Sequence, residues 1–260
     1  MPEGLFYQVP TWAITLGAFI AMIGGTLIGE RLWRKRPTDD RASTEEGYIV
    51  SGVVGLLALL LGFTFALAVD RFESRRMLVV EEANALRTTY LRAQTFGDPH
   101  RARLDGLLAA YARNRLALGE LAPGDEFMRL ATANADLQRR LWTASLAAIA
   151  TQRDDISSAY MDSMNHVFEV AGARRAARAA RVPPRTFVIL VLYMVASAVV
   201  FGYVIGPRRR RAIIALMALT SMTYGLILDI DNSTGGAIRE SQRPMRDLLP
   251  QLVPPDAPPG

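Results

Sequence analysis

Residues 63–96 contain neither glycine nor proline, and along that run the chain changes solvent. From Leu56 to Val69 there is no charged side chain, and from Asp70 onward charges arrive every few residues. With no breaker at the transition, a helix that starts in hydrocarbon has no reason to stop at the membrane surface. A helix from Tyr48 to Thr95 would be roughly 72 Å long at 1.5 Å per residue, against a hydrocarbon core of roughly 30 Å. Beyond the charged boundary, Phe72, Val79, Leu86 and Ala93 repeat every seven residues, with Ala83 and Tyr90 beside them. That is a stripe built to pack on other helices.

Three further stretches read as membrane spans. Thr11 to Gly29 is uncharged and is followed by Glu30, Arg31, Arg34, Lys35 and Arg36. It lacks the basic leader and small-residue cleavage site of a signal peptide, so it is expected to be a first span. The second span covers about 48–69. Pro183-Pro184 breaks the chain before a third, 186–206, and a fourth runs from 212 to 228. Gly17, Ala21, Gly25 and Gly29 stand four apart and offer a smooth face on the first span, and Ala58, Gly62 and Ala66 offer another on the second. Small faces let helices approach closely, so these two are expected to pack together.

Between the second and third spans, every segment has helical periodicity. After Gly97-Asp98-Pro99, Leu104, Leu107, Leu108 and Tyr111 fall at helical spacing. A second stretch, with Asp125 as its expected N-cap, carries Leu130, Leu137, Leu141 and Ala148. A third, from Asp154-Asp155, carries Ile156, Tyr160, Met164 and Val167. The fold class is therefore all-α: an integral membrane protein with four transmembrane helices and a helical soluble domain inserted between the second and third spans. The division is a first membrane hairpin at 1–70, a soluble helical domain at 71–185, a second membrane hairpin at 186–230 and a polar, Pro-rich tail at 231–260.

The segment RFESRRMLVVEEANALRTTYLRA, a Gly-Phe span before it and LDIDNSTGG after the last span resemble a family of bacterial four-span proteins described as bestrophin-like, which carry the DUF4239 domain. More distantly, LGFTFALAVDRFE is similar to the second span of bestrophins, pentameric anion channels in which Leu-Gly-Phe is followed by Arg and an aromatic residue. Here these are Leu61-Gly62-Phe63 and Arg71-Phe72. The resemblance implies a multi-pass protein of the bacterial inner membrane and a homo-oligomer that passes inorganic anions. Its hydrophobic neck would fall on Gly55, Leu59 and Phe63, with Arg71 at the pore mouth. Two functional classes stand side by side: an oligomeric anion channel, or a non-conducting membrane scaffold or sensor whose helical domain binds a protein partner. In the second, Leu59 and Phe63 are ordinary apolar contacts.

Other chemistry is sparse. The chain has no cysteine, which excludes disulfides, zinc–thiolate sites and cysteine nucleophiles. The net charge of +5 comes with 30 Lys and Arg, of which only Lys35 is lysine. Arg174, Arg175, Arg178, Arg181 and Arg185 stand before the third span without interleaved aromatics, which suits lipid headgroups and not nucleic acid. No span carries a charge at its centre, which disfavours a proton-coupled carrier. Asp229 and Asp231, with Asn232 and Thr234, are weak candidates for a cation, and no metal site is expected. Neither a phosphate loop nor a nucleophile elbow is present, so the expectation is no enzyme activity and no cofactor. Orientation is read two ways. The basic short loops, 31–47 and 207–211, point to the cytoplasm and send the helical domain outside, whereas bestrophins keep the corresponding region inside.

Overall fold

A computed structural model describes residues 9–35, 44–232, 236 and 238–252. Arg36, Arg41, Ser233, Thr234 and the proline-rich end from residue 253 lie outside the described residues. Among the described residues the chain is helical, with no strand. The helices are α1 (Thr11–Arg34), α2 (Thr44–Ala93), α3 (His100–Glu120), α4 (Asp125–Thr151), α5 (Asp155–Ala179), α6 (Pro184–Ile205), α7 (Arg210–Asp231) and the short α8 (Arg243–Leu248). A 3-10 turn, Leu249–Leu252, continues α8. Among the described residues, four stretches are long and apolar enough to cross a membrane: α1, the first part of α2, α6 and α7. The unbroken helix expected from the second span is present as the 50 residues of α2.

The chain divides into two compact units, 1–72 with 181–238 and 73–180 with 239–260. The first holds the membrane spans. In hydrocarbon there is no hydrophobic gain from bringing helices together, so backbone approach and side-chain fit must do it. Here α1 packs chiefly on α6, and then on α7. A Cβ at Gly25 would lie 3.0 Å from the Val195 carbonyl, and one at Gly29 would collide with the Val199 carbonyl. Gly202 answers from α6, lying against the Thr26 carbonyl. The small face of α1 therefore closes on the third span, not on the second as its pattern suggested. Gly17 and Ala21, farther along the same stripe, are exposed. Several hydroxyls in these helices donate to carbonyls four residues back, as Thr26 does to Met22 and Thr64 to Leu60, which satisfies them without water. Gly206 ends α6 with φ 67°, a conformation that glycine adopts at no steric cost, and the Trp33 ring leaves no room there for a Cβ.

The second unit is a helical bundle. Val79, Leu86 and Ala93 are buried on α2 and pack with Leu104, Leu108 and Tyr111 of α3, Leu141 of α4, and Tyr160 and Met164 of α5. Tyr160 sits edge-on to Phe96 with ring centroids 5.0 Å apart. Its hydroxyl shares a 2.8 Å hydrogen bond with Ser145, and burial pushes its pKa up to about 12. Asp154 caps α5 through a reciprocal bond with Ser157. Asp125, expected to cap α4, is instead its first residue, and Gly124 holds the cap position without a side-chain bond. The polar composition after residue 231 suggested a tail, yet Met245, Leu248 and Leu252 are buried in this core. Their spacing of three and four is a one-sided helical stripe, too short to stand out among prolines.

A direct test of the α1–α6 approach follows. Gly29→Val forces a branched side chain into the Val199 carbonyl and is expected to cost about 1–3 kcal/mol or more, lowering the melting temperature in detergent. Gly17→Val, whose Cβ meets nothing within 4 Å, should melt with the wild type. Equal melting of both variants would refute the contact.

Candidate functional site

The N-terminal part of α2 buries only one narrow stripe in the first unit. Leu57, Leu61, Thr64 and Ala68 point inward, at 7% exposure or less. The other side is uncovered: Leu59 is 52% and Phe63 67% exposed, and Gly55, Ala58, Gly62, Ala66 and Asp70 are exposed with them. Side chains four and seven apart share a helix face, so Leu59, Phe63, Ala66 and Asp70 form one row. At 100° per residue, Asp70 lies within roughly 20° of both Leu59 and Phe63, whereas Arg71 lies roughly 80° from Phe63 and 120° from Leu59. Arg71 is only half-exposed. Beside this row an apolar hollow of about 500 Å³ is lined by Leu57, Ala58, Gly62, Phe201 and Leu219. Ala58 and Gly62 thus border an open groove, and among the described residues no atom outside the adjoining turns of α2 comes within 4 Å of where a Gly62 Cβ would be.

The two acids at the exit of α7 bind backbone. Asp231, 1% exposed, accepts from the Val182 amide at 3.0 Å, and Asp229 accepts from the Ile238 amide at 3.0 Å. Together they tie the chain entering α6 and the chain leaving α7 to one helix end. Among the described residues no three or more His, Asp or Glu side chains are grouped to hold a metal ion. His166 stands half-exposed between Glu81 at 3.8 Å and Glu169 at 3.9 Å.

Within the second unit lies a buried charge cluster. Glu82 is fully buried on α2 between Arg115 of α3 and Arg174 of α5. The Arg115 Nε donates to Glu82 Oε1, and Arg174 Nη1 donates to Oε2 at 2.5 Å. Arg174 Nη2 then donates to the Gln242 side chain at 2.5 Å, and Arg75 donates to Glu240 at 2.6 Å. Burial pulls the Arg115 guanidinium down, but the charge and hydrogen bond of Glu82 outweigh it and hold it above its ordinary value. A Cβ at Gly119 would collide with the Gln242 amide and the Arg174 guanidinium. With both carboxylate oxygens engaged and no solvent access, the cluster is a clamp joining α2, α3, α5 and the C-terminal segment, and it has no room for a substrate.

A family model described as a bestrophin-like domain matches residues 16–233. The chain belongs to the bestrophin-like family. Its fold is similar to crystal structures of a bacterial bestrophin homolog from Klebsiella pneumoniae. One, a point variant, has TM-score 0.68 and 15% identity, covering 94% of this chain and 99% of that chain. Another, phased on zinc, has TM-score 0.65 and 16% identity, covering 91% and 95%. No curated protein matches.

In this bestrophin-like chain the residues singled out from sequence fall into three sets. Gly55, Leu59 and Phe63 share the uncovered face of α2, with Ala58, Gly62 and Ala66 around them. Gly25 and Gly29 join α1 to α6. Asp229 and Asp231 hold backbone. Glu81, Glu82 and Asn84 read in the sequence as a polar face of the rod, partly satisfied by arginines of neighbouring helices. Arg115 and Arg174 are such partners of Glu82, and its full burial is the part that reading did not include, although it carried a signal. Glu82 is three residues after Val79 and four before Leu86, and Arg115 is four after Tyr111, so opposite charges stand on stripes that must be buried. Removing the acid leaves two guanidinium groups facing each other in a dry interior. Glu82→Ala is expected to cost about 3–5 kcal/mol, read as a fall in melting temperature, with Glu82→Gln in between. A Glu82→Ala protein as stable as the wild type would exclude the clamp.

Proposed function

We propose that this bestrophin-like membrane protein is a homo-oligomeric ion channel of the bacterial inner membrane. Several second spans surround a water path, and Leu59 and Phe63 form its apolar neck. One observation carries the reading: Leu59 and Phe63, the two residues that the bestrophin resemblance assigns to the neck, are each more than half exposed and lie on the same uncovered side of α2 as the exposed Gly55. A single protomer encloses no path, so a ring of copies is required. An uncharged apolar ring controls conduction by dewetting, because an ion cannot shed its water there at low cost. In this reading residues 71–185 form the soluble helical domain between the second and third spans. The resemblance makes inorganic anions the expected cargo and Arg71 the charge at the mouth. Lipid remains the other possible neighbour of this face, and it would leave a non-conducting scaffold or sensor.

The test is ion flux from vesicles holding purified oligomer. Leu59→Ala combined with Phe63→Ala widens and wets the ring, so flux should rise several-fold over wild type. Flux at the level of empty vesicles for both proteins would eliminate the channel and leave the scaffold.

A further inference from the structure

We infer that Asp70, and not Arg71, is the charge that stands in line with the neck, and that the channel favours inorganic cations. The inference rests on the channel reading and replaces the ion class and the mouth residue that the resemblance alone would give it. It follows from helix register within the first unit. Leu59, Phe63, Ala66 and Asp70 are spaced four, three and four residues apart, and all four are exposed. A helix that turns Leu59 and Phe63 toward a symmetry axis turns Asp70 the same way, about 10 Å farther along at 1.5 Å per residue. Arg71 is directed about a quarter to a third of a turn away and is half-buried. The one-residue difference decides the sign of the charge at the mouth.

Closure by symmetry multiplies that charge. Each protomer contributes one Asp70, giving a ring of carboxylates above a neck with no charge of its own. Rings of acidic side chains raise the local concentration of cations and reject anions, and a low-dielectric wall focuses the field. The neck then limits how much passes, and the Asp70 ring determines which sign passes. No other charged residue of α2 from Tyr48 to Asp70 shares the row, since 48–69 is uncharged.

Reversal potentials across bilayers with a sodium chloride gradient test the inference on purified full-length oligomer. They are measured in the wild type and in the widened Leu59→Ala, Phe63→Ala protein. The expected result is a potential on the cation side that Asp70→Asn moves toward or past zero and Asp70→Glu preserves. Arg71→Gln should leave it in place. Raising salt should weaken the preference, because the ring acts through a field screened within about 10 Å at 0.1 M. A wild-type potential on the anion side, or one that shifts with Arg71→Gln and not with Asp70→Asn, would overturn the assignment while current through the widened neck still upheld the channel. Absence of current in every protein, the widened one included, would overturn both.

Discussion

A helix of 50 residues without an internal break gives one backbone two sets of rules to obey. In hydrocarbon every peptide group must be satisfied within the helix, while an uncovered apolar side chain costs nothing. In water the apolar stripe has to be covered, and exposed positions turn polar. The two halves of α2 show the contrast. Leu56, Leu59 and Phe63 are exposed in the first unit without penalty, because hydrocarbon meets them as readily as a core would. Val79, Leu86 and Ala93 are each at or below 1% exposure in the second. Exposure of apolar surface on the membrane part therefore does not by itself mark a site. What distinguishes Leu59 and Phe63 is the row they share and what lies at its end.

Buried charge in the second unit obeys the opposite economy. Moving Glu82 out of water is unfavourable by several kcal/mol, and only close, well-directed partners offset it. Arg115 and Arg174 come from helices remote in sequence, and Gln242 comes from the C-terminal segment, so the pair geometry exists only when all four stretches are docked. Such a cluster contributes little net stability compared with apolar residues of the same volume, but it tolerates few alternative registers. Gly119 marks the same demand sterically, since the side chains converge where its Cβ would be. The role of the clamp is best understood as specifying one arrangement of α2, α3, α5 and residues 239–252.

Much of this was legible in the sequence, and the reason lies in what a pattern encodes. Charge-free length reports a span, and a seven-residue repeat reports a buried stripe, so the four spans and the packing face of α2 could be read directly. A pattern does not name the partner. Gly17, Ala21, Gly25 and Gly29 showed that something could approach α1 closely, but only folding shows that α6 does so over the second half of the stripe. The short stripe Met245, Leu248, Leu252 was obscured by neighbouring prolines, and Asp229 and Asp231 gave no sign that their partners would be amides of Val182 and Ile238. For Glu82 the sequence suggested arginine partners from neighbouring helices but not its burial, because a charge on an apolar stripe looks like a surface residue until its partner stripe is laid beside it.

The same distinction between pattern and geometry bears on the charge next to the proposed neck. A resemblance carried by Leu-Gly-Phe and Arg-aromatic draws attention to Arg71, since that is the residue the motif contains. Motif position is counted along the chain, whereas a field at a pore mouth depends on angle about the helix axis. Eight residues beyond Phe63 a helix has turned two full times and roughly 80° more, while seven residues beyond it falls roughly 20° short of two turns. The adjacent acid and base therefore look in different directions from the same height. If the row from Leu59 to Asp70 faces water, the nearer charge in angle dominates, and it is the carboxylate. A basic residue that is memorable in sequence would then serve the helix surface beside the path, leaving the acid to meet the ion.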